Sequence, residues 1–380
     1  MSEWRKVTIG ELVTLRQGFA INAKSKYYIS KEQTSLALLR IADMKSGSKE
    51  IFVKEDIPQN FIAKPQDIIY TRTGNVGLVF RNNYGVVHNN CFTVTPNDEW
   101  ILSRDFLYYL LQSQYFFEKA NSLARGAAQP DLPHSLFNSI EISYPSLQVQ
   151  NKIATILSRY DSLIENYQKQ IKLLEESAQR LYKEWFIDLR FPGHENTKIV
   201  DGVPEGWEKK KLTDIAELKA GGDKPGIVSD VRTEDCAIPI FSNGTTNEGL
   251  YGFTKVPEIM EHCVTISARG SVGYTVLRRT PFVPIVRLIS VIPHNIYVGY
   301  IFFYLKSTTL DSNGAAQQQI TIPMIRNKEI TIPSKGILEI FESQTEPIFN
   351  QIDILKSQIH HLTEARDRLH PKLMSGEIEV

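Results

Sequence analysis

The chain has 380 residues, of which 42% are hydrophobic and 23% charged, and its 43 basic residues balance its 43 acidic residues. This composition is ordinary for a globular protein with room for two domains, and it excludes a disordered or fibrous chain. The start of the sequence is charged without an apolar signal region, and the longest apolar run, residues 296–305, is too short to span a bilayer. We therefore expect a cytoplasmic protein with no membrane contact.

A segment of about half the chain occurs twice. The stretch that begins at Trp4 matches the stretch that begins at Trp207, 203 residues later. Further on, the sequence Gly-Ala-Ala-Gln at 126–129 recurs at 314–317, 188 residues later, so the second copy is shorter by 15 residues. An unbroken order of matches over nearly the whole chain predicts a tandem duplication.

Each copy begins with alternating strand-like runs and glycine-rich turns, which predicts a mixed α/β domain. The runs lie at 67–71, 77–80 and 86–94 in the first copy, and at 264–267, 273–277 and 283–291 in the second. Gly74 and Gly77 recur as Gly270 and Gly273, and a tight turn between strands explains them better than a phosphate-binding loop. An aromatic helical stretch follows in each copy, at 106–117 and 297–305, whose rings we expect in the core rather than as platforms for bases.

The first copy ends in a long heptad pattern. From Leu157 to Trp185 the apolar residues are spaced alternately by three and four, which predicts a coiled-coil seam. Ser146 is the candidate N-cap, and Pro192 is expected to stop the helix after Phe191. Such a helix is a rod of roughly 60 Å.

The second copy ends in the same kind of pattern, interrupted at Arg366, where an apolar residue is due. Thr345 is the candidate N-cap with Pro347 in the first turn, and Pro371 is expected to kink or end the helix. Either helix by itself is compatible with an ordinary amphipathic helix on its own domain. Two such helices, each closing a repeat, favour an antiparallel pair that holds the domains apart.

The predicted fold is α+β, with two tandem α/β domains separated by two long antiparallel coiled-coil helices in a pseudo-twofold internal repeat. The first domain covers residues 1–146 and the first helix 147–190. A linker at 191–206 leads to the second domain at 207–334, and the second helix covers 335–380.

The loops between the strands are rich in basic, amide and hydroxyl side chains. Arg, Asn, Gln and Lys suit bidentate contacts to base edges in the major groove, although for any single residue a solvated loop is the alternative. The candidate DNA-contact residues are Lys24, Lys26, Arg72, Thr73, Asn75, Arg81 and Arg125 in the first copy, and Lys219, Lys224, Ser242, Asn243, Thr245, Arg269, Ser271 and Gln318 in the second.

Charge limits this hypothesis. Residues 1–146 carry 16 basic and 14 acidic side chains, and residues 191–334 carry 15 of each. Because DNA affinity draws heavily on phosphate neutralisation, we expect weak binding by the chain alone unless its charges segregate to one face or partners contribute more.

Catalytic and metal-binding motifs are missing from the sequence. It contains no G-x-x-x-x-G-K-[ST] phosphate loop and no Asp/Asn-Pro-Pro-aromatic tetrapeptide of amino-methyltransferases, so neither nucleotide hydrolysis nor methyl transfer is indicated. Cys91, Cys236 and Cys263 lack metal-ligand spacing and are expected as core thiols. His360 and His361 are expected on a solvated helix face, so we predict no metal site.

These residues resemble the DNA specificity (S) subunit of type I restriction–modification systems. The resemblance rests on the Trp-x-x-x-x-Ile/Leu-x-Glu/Asp-Ile/Leu start of each copy, on the Arg-Gly-Ser-Val-Gly loop at Arg269, and on the helix-end sequences at 181–188 and 369–378. It covers essentially the whole chain. The first copy departs from it, with Arg72-Thr73-Gly74 in place of Arg-Gly.

The resemblance implies two target-recognition domains, each of which reads one half of a bipartite, asymmetric target in double-stranded DNA. The helices would set the spacer between the half-sites and dock methylation (M) subunits. The chain itself would be non-catalytic and bind no cofactor: S-adenosylmethionine belongs on the M subunit, which methylates a flipped adenine, and a restriction (R) subunit translocates and cuts. The candidate partner-contact residues are Tyr160, Tyr167, Trp185, Phe186, Leu369 and Leu373. The alternatives are a two-headed protein scaffold that does not bind DNA and, less favoured, an enzyme with an unrecognised site.

Overall fold

The computed structural model describes residues 4–308 and 319–380. The chain divides into two compact units, the first made of Met1–Tyr167 with Ser357–Val380 and the second of Gln168–Lys356. Each unit therefore contains one globular domain together with a segment of each long helix.

The described part of the first unit contains a four-stranded sheet, a five-stranded sheet, a two-stranded sheet and several helices. Its strands are β1 (Arg5–Thr8), β2 (Val13–Gln17), β3 (Ile29–Ser30), β4 (Leu36–Leu39), β5 (Phe52–Val53), β6 (Ile62–Ala63), β7 (Ile68–Thr71), β8 (Val79–Phe80), β9 (Gly85–Val87), β10 (Cys91–Pro96) and β11 (Glu141–Tyr144). Its helices are α1 (Ile41–Ser46), α2 (Arg104–Gln112), α3 (Gln114–Leu123), α4 (His134–Asn138) and the first part of α5 (Leu147–Tyr182). One sheet has the strand order β2-β10-β7-β8, the other β3-β5-β4-β9-β6, and β1 pairs with β11.

The second unit repeats this plan with a smaller second sheet. Its strands are β12 (Ile199–Val200), β13 (Val203–Pro204), β14 (Glu208–Lys211), β15 (Ala216–Ala220), β16 (Ile238–Phe241), β17 (Leu250–Thr254), β18 (Cys263–Ile266), β19 (Thr275–Arg278), β20 (Val283–Pro284), β21 (Ile289–Pro293) and β22 (Glu329–Ile332). Its helices are α6 (Leu212–Ile215), α7 (Val298–Ser307), α8 (Ile322–Ile325) and the first part of α9 (Lys335–Ser375). The order β15-β21-β18-β19 repeats that of the first unit, and β14 pairs with β22 as β1 does with β11.

The cores are aromatic, as the sequence predicts, but Tyr115 and Phe117 of the first predicted aromatic stretch are exposed, at 49% and 39%. In the first unit Phe116 of α3 is fully buried, with its ring centroid 6.0 Å from that of Tyr70, which stacks on Phe92 of the sheet. Phe106 of α2 is fully buried in the same core. Leu157 of α5 and Leu373 of α9 join the same core. In the second unit the rings of α7 are buried with aromatic residues of α5 and α9. Rings from the sheet, the short helices and the long helices therefore share one core in each unit, and their burial stabilises the attachment.

Two of the predicted runs are each divided between two strands. Residues 86–94 form the end of β9 and the start of β10, and residues 283–291 form β20 and the start of β21. The break is a tight turn, in which the amide of Cys91 bonds to the carbonyl of His88 at 2.9 Å and the amide of Leu288 to that of Ile285 at 3.1 Å. The two strands on either side belong to different sheets, which apolar patterning alone does not reveal.

Helix α5 begins directly after Ser146, as expected, but it ends earlier than the sequence predicts. A wide π-helical turn at Lys183–Ile187 follows it, and Leu189 has a positive φ of 55°. The expected end after Phe191 is therefore wrong. The wide turn places the neighbouring rings of Trp185 and Phe186 in the core together, at 6% and 9% exposure.

Helix α9 corrects the predicted helix start at Thr345 and excludes a helix end at Pro371. It begins at Lys335, so Thr345 is not its N-cap; the Thr345 hydroxyl is buried within the helix and donates to the carbonyl of Phe341 at 2.8 Å. Pro347 and Pro371 both lie inside the helix, which continues to Ser375. A proline removes one amide donor, and in this helix the tertiary contacts outweigh that loss. Within residues 4–308 and 319–380, none of the helices combines the length and apolarity that crossing a bilayer requires.

Candidate nucleic-acid interface

Several loops meet at one end of the four-stranded sheet of the second unit. The amide of Arg287, in the turn between β20 and β21, bonds to the carbonyl of Gly221 at 2.8 Å, and the amide of Val286 bonds to that of Gly222 at 2.9 Å. The loops after β16 and β18 reach the same place through Asn243. Four chain segments distant in sequence thus form one loop cluster, defined by residues 221–224, 242–249, 268–273 and 285–288.

Asn243 joins the loops of this cluster. Its Oδ1 accepts from the amide of Ala268 at 2.6 Å, and its Nδ2 donates to the carbonyl of Val286 at 2.6 Å. These two residues directly precede Arg269 and Arg287. A single amide side chain therefore positions the backbone of both arginines, which is a different role from the base contact that the sequence predicts for Asn243.

Arg269 and Arg287 are exposed arginines of this cluster. Within residues 4–308 and 319–380, neither guanidinium has a hydrogen bond or an ion pair. Arg287 has a φ of 61°, and the glycine after Arg269 has a φ of 69°. Both arginines therefore lie at sharp turns where the chain projects. The sequence identified Arg269 from its glycine loop, whereas Arg287 carries no motif; its only signal is its place beside a strand break that recurs in the first copy.

Of the other candidates of the second unit, Lys224, Ser242, Thr245 and Ser271 lie within the loop cluster, and Lys219 lies outside it. Ser242 is half-buried and its hydroxyl is 3.5 Å from the carbonyl of Gly249. Lys219 at the end of β15 is exposed and pairs with Glu217 at 3.2 Å. Lys224, Thr245 and Ser271 are exposed. Gln318 lies outside the described residues.

In the first unit, Asp131 is hydrogen-bonded to three of the candidate residues, Arg72, Thr73 and Arg125. The guanidinium of Arg72 donates to both Asp131 oxygens, at 3.1 and 2.6 Å, and the hydroxyl of Thr73 donates to Oδ1 at 2.5 Å. Arg125 exchanges two backbone hydrogen bonds of 2.8 Å with Asp131 and is exposed. Burial opposes ionisation of Asp131, but the bonds from Arg72 and Thr73 outweigh it and hold the pKa of Asp131 below its usual value.

The remaining candidates of the first unit do not form one group. Lys24 and Lys26 are exposed in and beside the short 3-10 segment at 25–28, and Asn75 is exposed in the turn after β7. Arg81 points elsewhere: its guanidinium stacks 4.1 Å from the ring centroid of Tyr108, and its side chain is 22% exposed. It contacts α2 and α5 rather than the loops.

The candidate partner-contact residues fall into two groups. Tyr160, Tyr167 and Leu369 are half-buried on the long helices and keep some accessible surface. Trp185, Phe186 and Leu373 are buried within the chain, at 6%, 9% and 1% exposure. Burial leaves these three little surface for a partner, and they act instead as core residues of their units.

The three cysteines are buried thiols, and His360 and His361 lie on an exposed helix face, as the sequence predicts. All three cysteines are free and buried, and burial raises the pKa of the Cys91 and Cys263 thiols to about 12. His360 and His361 are exposed on α9. Among the described residues, the structure contains no group of His, Cys, Asp and Glu arranged to hold a metal ion.

Comparison with known proteins accounts for the paired architecture. The family model described as the type I restriction modification DNA specificity domain matches residues 1–176 and again residues 204–364. The chain belongs to this family. The two matched segments correspond to the two copies of the internal repeat, and membership gives no support to a scaffold that does not bind DNA.

Relatives in the family share most of their length with the chain. The MjaIX specificity subunit of a type I restriction enzyme from Methanocaldococcus jannaschii is 31% identical over 82% of this chain and 78% of its own. A putative type I specificity subunit from Mycoplasma pneumoniae is 23% identical over 95% of this chain and 96% of its own. The crystal structure of a type I restriction–modification S subunit from M. genitalium has the same fold, with a TM-score of 0.62 and 20% identity over 98% of this chain and 96% of its own.

Proposed function

We propose that the chain is the sequence-specific DNA-binding subunit of a type I restriction–modification complex, in which each globular domain reads one half of a bipartite, asymmetric target. The observation that carries this proposal is that each unit of a family member has arginine side chains in loops beside one end of its four-stranded sheet: Arg72 and Arg125 in the first unit, and Arg269 and Arg287 in the second. Arginine and amide side chains suit base edges and phosphates.

We further propose that the helices form an antiparallel pair that separates the two half-sites. Within the first unit, Asp161 of α5 contacts Arg366 of α9 at 2.8 Å. Within the second, the rings of Tyr182 on α5 and Phe341 on α9 lie 6.3 Å apart. Residue numbers rise along one helix as they fall along the other, which supports an antiparallel pair.

The chemistry is assigned to other subunits. In this proposal the chain is non-catalytic and binds no cofactor, S-adenosylmethionine is bound by the M subunits, and an R subunit cuts the DNA. The near-equal numbers of basic and acidic residues support a complex in which partners supply part of the phosphate contact. We place the complex in the cytoplasm, together with the DNA it modifies.

Exchanging one domain tests the bipartite readout. Replacing residues 1–146 with the equivalent domain of a relative should change one half of the methylated motif and leave the other half unchanged, because each half-site is read by its own unit. The measurement is methylome sequencing of a host that expresses the hybrid with the M subunit. A hybrid that alters both halves of the motif would contradict independent readout.

Removing Arg269 or Arg287, the two arginines of the loop cluster, should weaken DNA binding. Arg269→Ala or Arg287→Ala is expected to cost about 1–3 kcal/mol if the side chain reads a base. If the side chain contacts a phosphate, the slope of log K against log salt should fall by about one. Asn243→Ala leaves both arginines in place but removes the two hydrogen bonds that position their backbone. The affinity for DNA should therefore fall, while the slope of log K against log salt should stay the same.

These affinities are measured by fluorescence anisotropy with the complex of this chain and its M subunits. Lys209→Ala, an exposed cation on β14 away from the loop cluster, is the control and should bind like the wild type. Unchanged affinity in both arginine variants, with an intact fold, would remove the loop cluster of the second unit from the DNA interface.

A further inference from the structure

An arginine directly follows the same edge strand in each unit and turns away from the loops toward a long helix. Arg81 follows β8, and Arg279 follows β19. These strands occupy corresponding edges of the two four-stranded sheets. The side chains are mostly covered, at 22% and 11% exposure.

In the first unit, three side chains meet at one carboxylate. Asp161 of α5 accepts from the hydroxyl of Tyr109 at 2.6 Å and from Nη1 of Arg366 at 2.8 Å. Arg81 Nη2 lies 3.2 Å from the Tyr109 hydroxyl and 3.9 Å from Asp161. The arginine that interrupts the apolar pattern of α9 is therefore part of a polar cluster that ties the domain to both helix segments of its unit.

In the second unit, Arg279 makes the corresponding attachment with more bonds. Its two terminal nitrogens donate to the two oxygens of Glu346, at 3.0 and 2.8 Å, and its Nε donates to Asp353 at 2.7 Å. The amide oxygen of Asn350 also accepts from it, and the hydroxyl of Tyr297 donates to Glu346 at 3.2 Å. Positions 346, 350 and 353 share one face of α9, so the guanidinium bridges two turns of the helix.

We propose that these two clusters are clamps that fix the orientation of each recognition domain on its helix segments, and so hold the two half-sites to a single spacing. The first clamp is Arg81, Tyr109, Asp161 and Arg366; the second is Arg279, Tyr297, Glu346, Asn350 and Asp353. This inference rests on the proposed function.

Polar bonds suit this task better than apolar packing. An apolar interface tolerates small rotations, whereas a planar guanidinium that bonds both oxygens of a carboxylate fixes an angle as well as a distance. The second clamp also favours the charged form of Glu346. Burial is the largest influence on Glu346 and opposes its ionisation, yet the bonds from Arg279 outweigh burial and lower the pKa of Glu346.

The clamps recur although their residues do not align in the repeat. The residue that corresponds to Asp161 at the repeat offset of 188 is Phe349, not Glu346. In the first unit the acidic residue is on α5, and in the second it is on α9. In both cases the helix is the one that directly follows the domain in the chain. The common feature is the contact itself, which indicates that each domain needs a directional attachment to its own helix.

The test measures spacing and half-site identity separately. A host carries the M subunit, this chain, and plasmids in which the half-sites are separated by the natural spacer, one base pair fewer or one more. Arg279→Met and Glu346→Gln are expected to raise methylation at the altered spacers about tenfold over the wild type, since coupled polar networks contribute energies of that order. The half-site bases should stay the same. Asp161→Asn should act likewise for the first clamp.

Matched controls break exposed ion pairs on the same helix. Lys335→Met removes the pair with Glu339, in which Lys335 is 90% exposed, and Arg368→Met removes the pair with Glu364. Both should keep the natural spacer selectivity, because such pairs contribute little.

The outcomes are distinguishable. Variants with wild-type spacer selectivity and an intact thermal transition would overturn the clamp, as would a change in the half-site bases. If Arg279→Met fails to fold, Glu346→Gln tests the proposal instead, because it keeps the volume of the side chain and its bond to Tyr297. Loss of all methylation in both would assign the cluster to folding and reject the proposal. Failure of the proposed function appears differently, as a wild-type chain that directs no methylation at any spacer.

Discussion

Gly221→Ala is expected to destabilise the second unit strongly and to abolish methylation that depends on its half-site. A Cβ at Gly221 would lie 2.6 Å from the carbonyl carbon of Pro284, 2.7 Å from its oxygen and 2.8 Å from the amide nitrogen of Ile285. All three are backbone atoms, so the strand or the loop must shift. Forcing one extra carbon into a closely packed site costs about 1–3 kcal/mol, sometimes more, and we expect the upper end here.

The same argument applies to the first unit through Gly18. A Cβ there would lie 2.3 Å from the carbonyl oxygen of His88 and 2.7 Å from that of Val87. Gly18→Ala should therefore affect only the first unit. The neighbouring Gly222 supplies a matched control, because nothing lies within 4 Å of a Cβ built on it.

Thermal denaturation of the purified chain measures these effects. A loss of about 3 kcal/mol should lower the transition by roughly 6–12 °C for a unit of this size, whereas Gly222→Ala should leave it almost unchanged. If Gly221→Ala had the same transition temperature as Gly222→Ala, the close backbone approach at Gly221 would not be required for the fold. The loop cluster would then not depend on that approach.

The internal repeat and the apolar segments could be predicted from the sequence. The matches that begin at Trp4 and Trp207 located both domains because a duplication leaves the same core and turn residues at fixed offsets. Gly18 and Gly221 are separated by 203 residues, which is the offset between Trp4 and Trp207. Their close backbone approach explains why glycine occurs at both positions, although the sequence alone gave no distance.

Helix ends were predicted poorly where tertiary contacts decide them. Thr345 followed by Pro347 has the pattern of a helix start, and Pro371 that of a helix end, yet α9 passes through both prolines. Local preferences are worth at most a few kcal/mol, and the contacts of α9 with both units outweigh them. Side-chain partners were beyond the sequence for a similar reason: nothing near Arg81 or Asn243 indicates that the first bonds a helix and the second holds two loops.

Lengthening the helices should lengthen the unread spacer in the DNA without changing the half-sites. The change is a paired insertion of four helix-forming residues, one after Gln168 in α5 and one after Lys356 in α9. Both points lie at the boundaries of the two units, so the contacts within each unit are retained. Four residues add about 6 Å of helix and keep the apolar seam nearly in phase.

At about 3.4 Å per base pair along the DNA, this extension corresponds to one or two further base pairs of spacer. Each added base pair also rotates the second half-site by roughly 34–36° about the duplex axis, because a turn contains about 10–10.5 base pairs. Only a whole number of base pairs that the domains can follow in rotation should be methylated. Methylome sequencing of cells with the variant should therefore show both original half-sites, separated by one or two additional base pairs.

A paired insertion of two residues at the same points is the control. Two residues turn a helix by about 200°, which moves the apolar seam to the opposite face and should remove activity at every spacer. The four-residue variant must instead be active, with a new spacing. If it methylates the original spacing, the distance between half-sites is set by something other than helix length. The clamps at Arg81 and Arg279 would then still fix the domains to the helices. The helices, however, would not determine the position at which the second half-site is read.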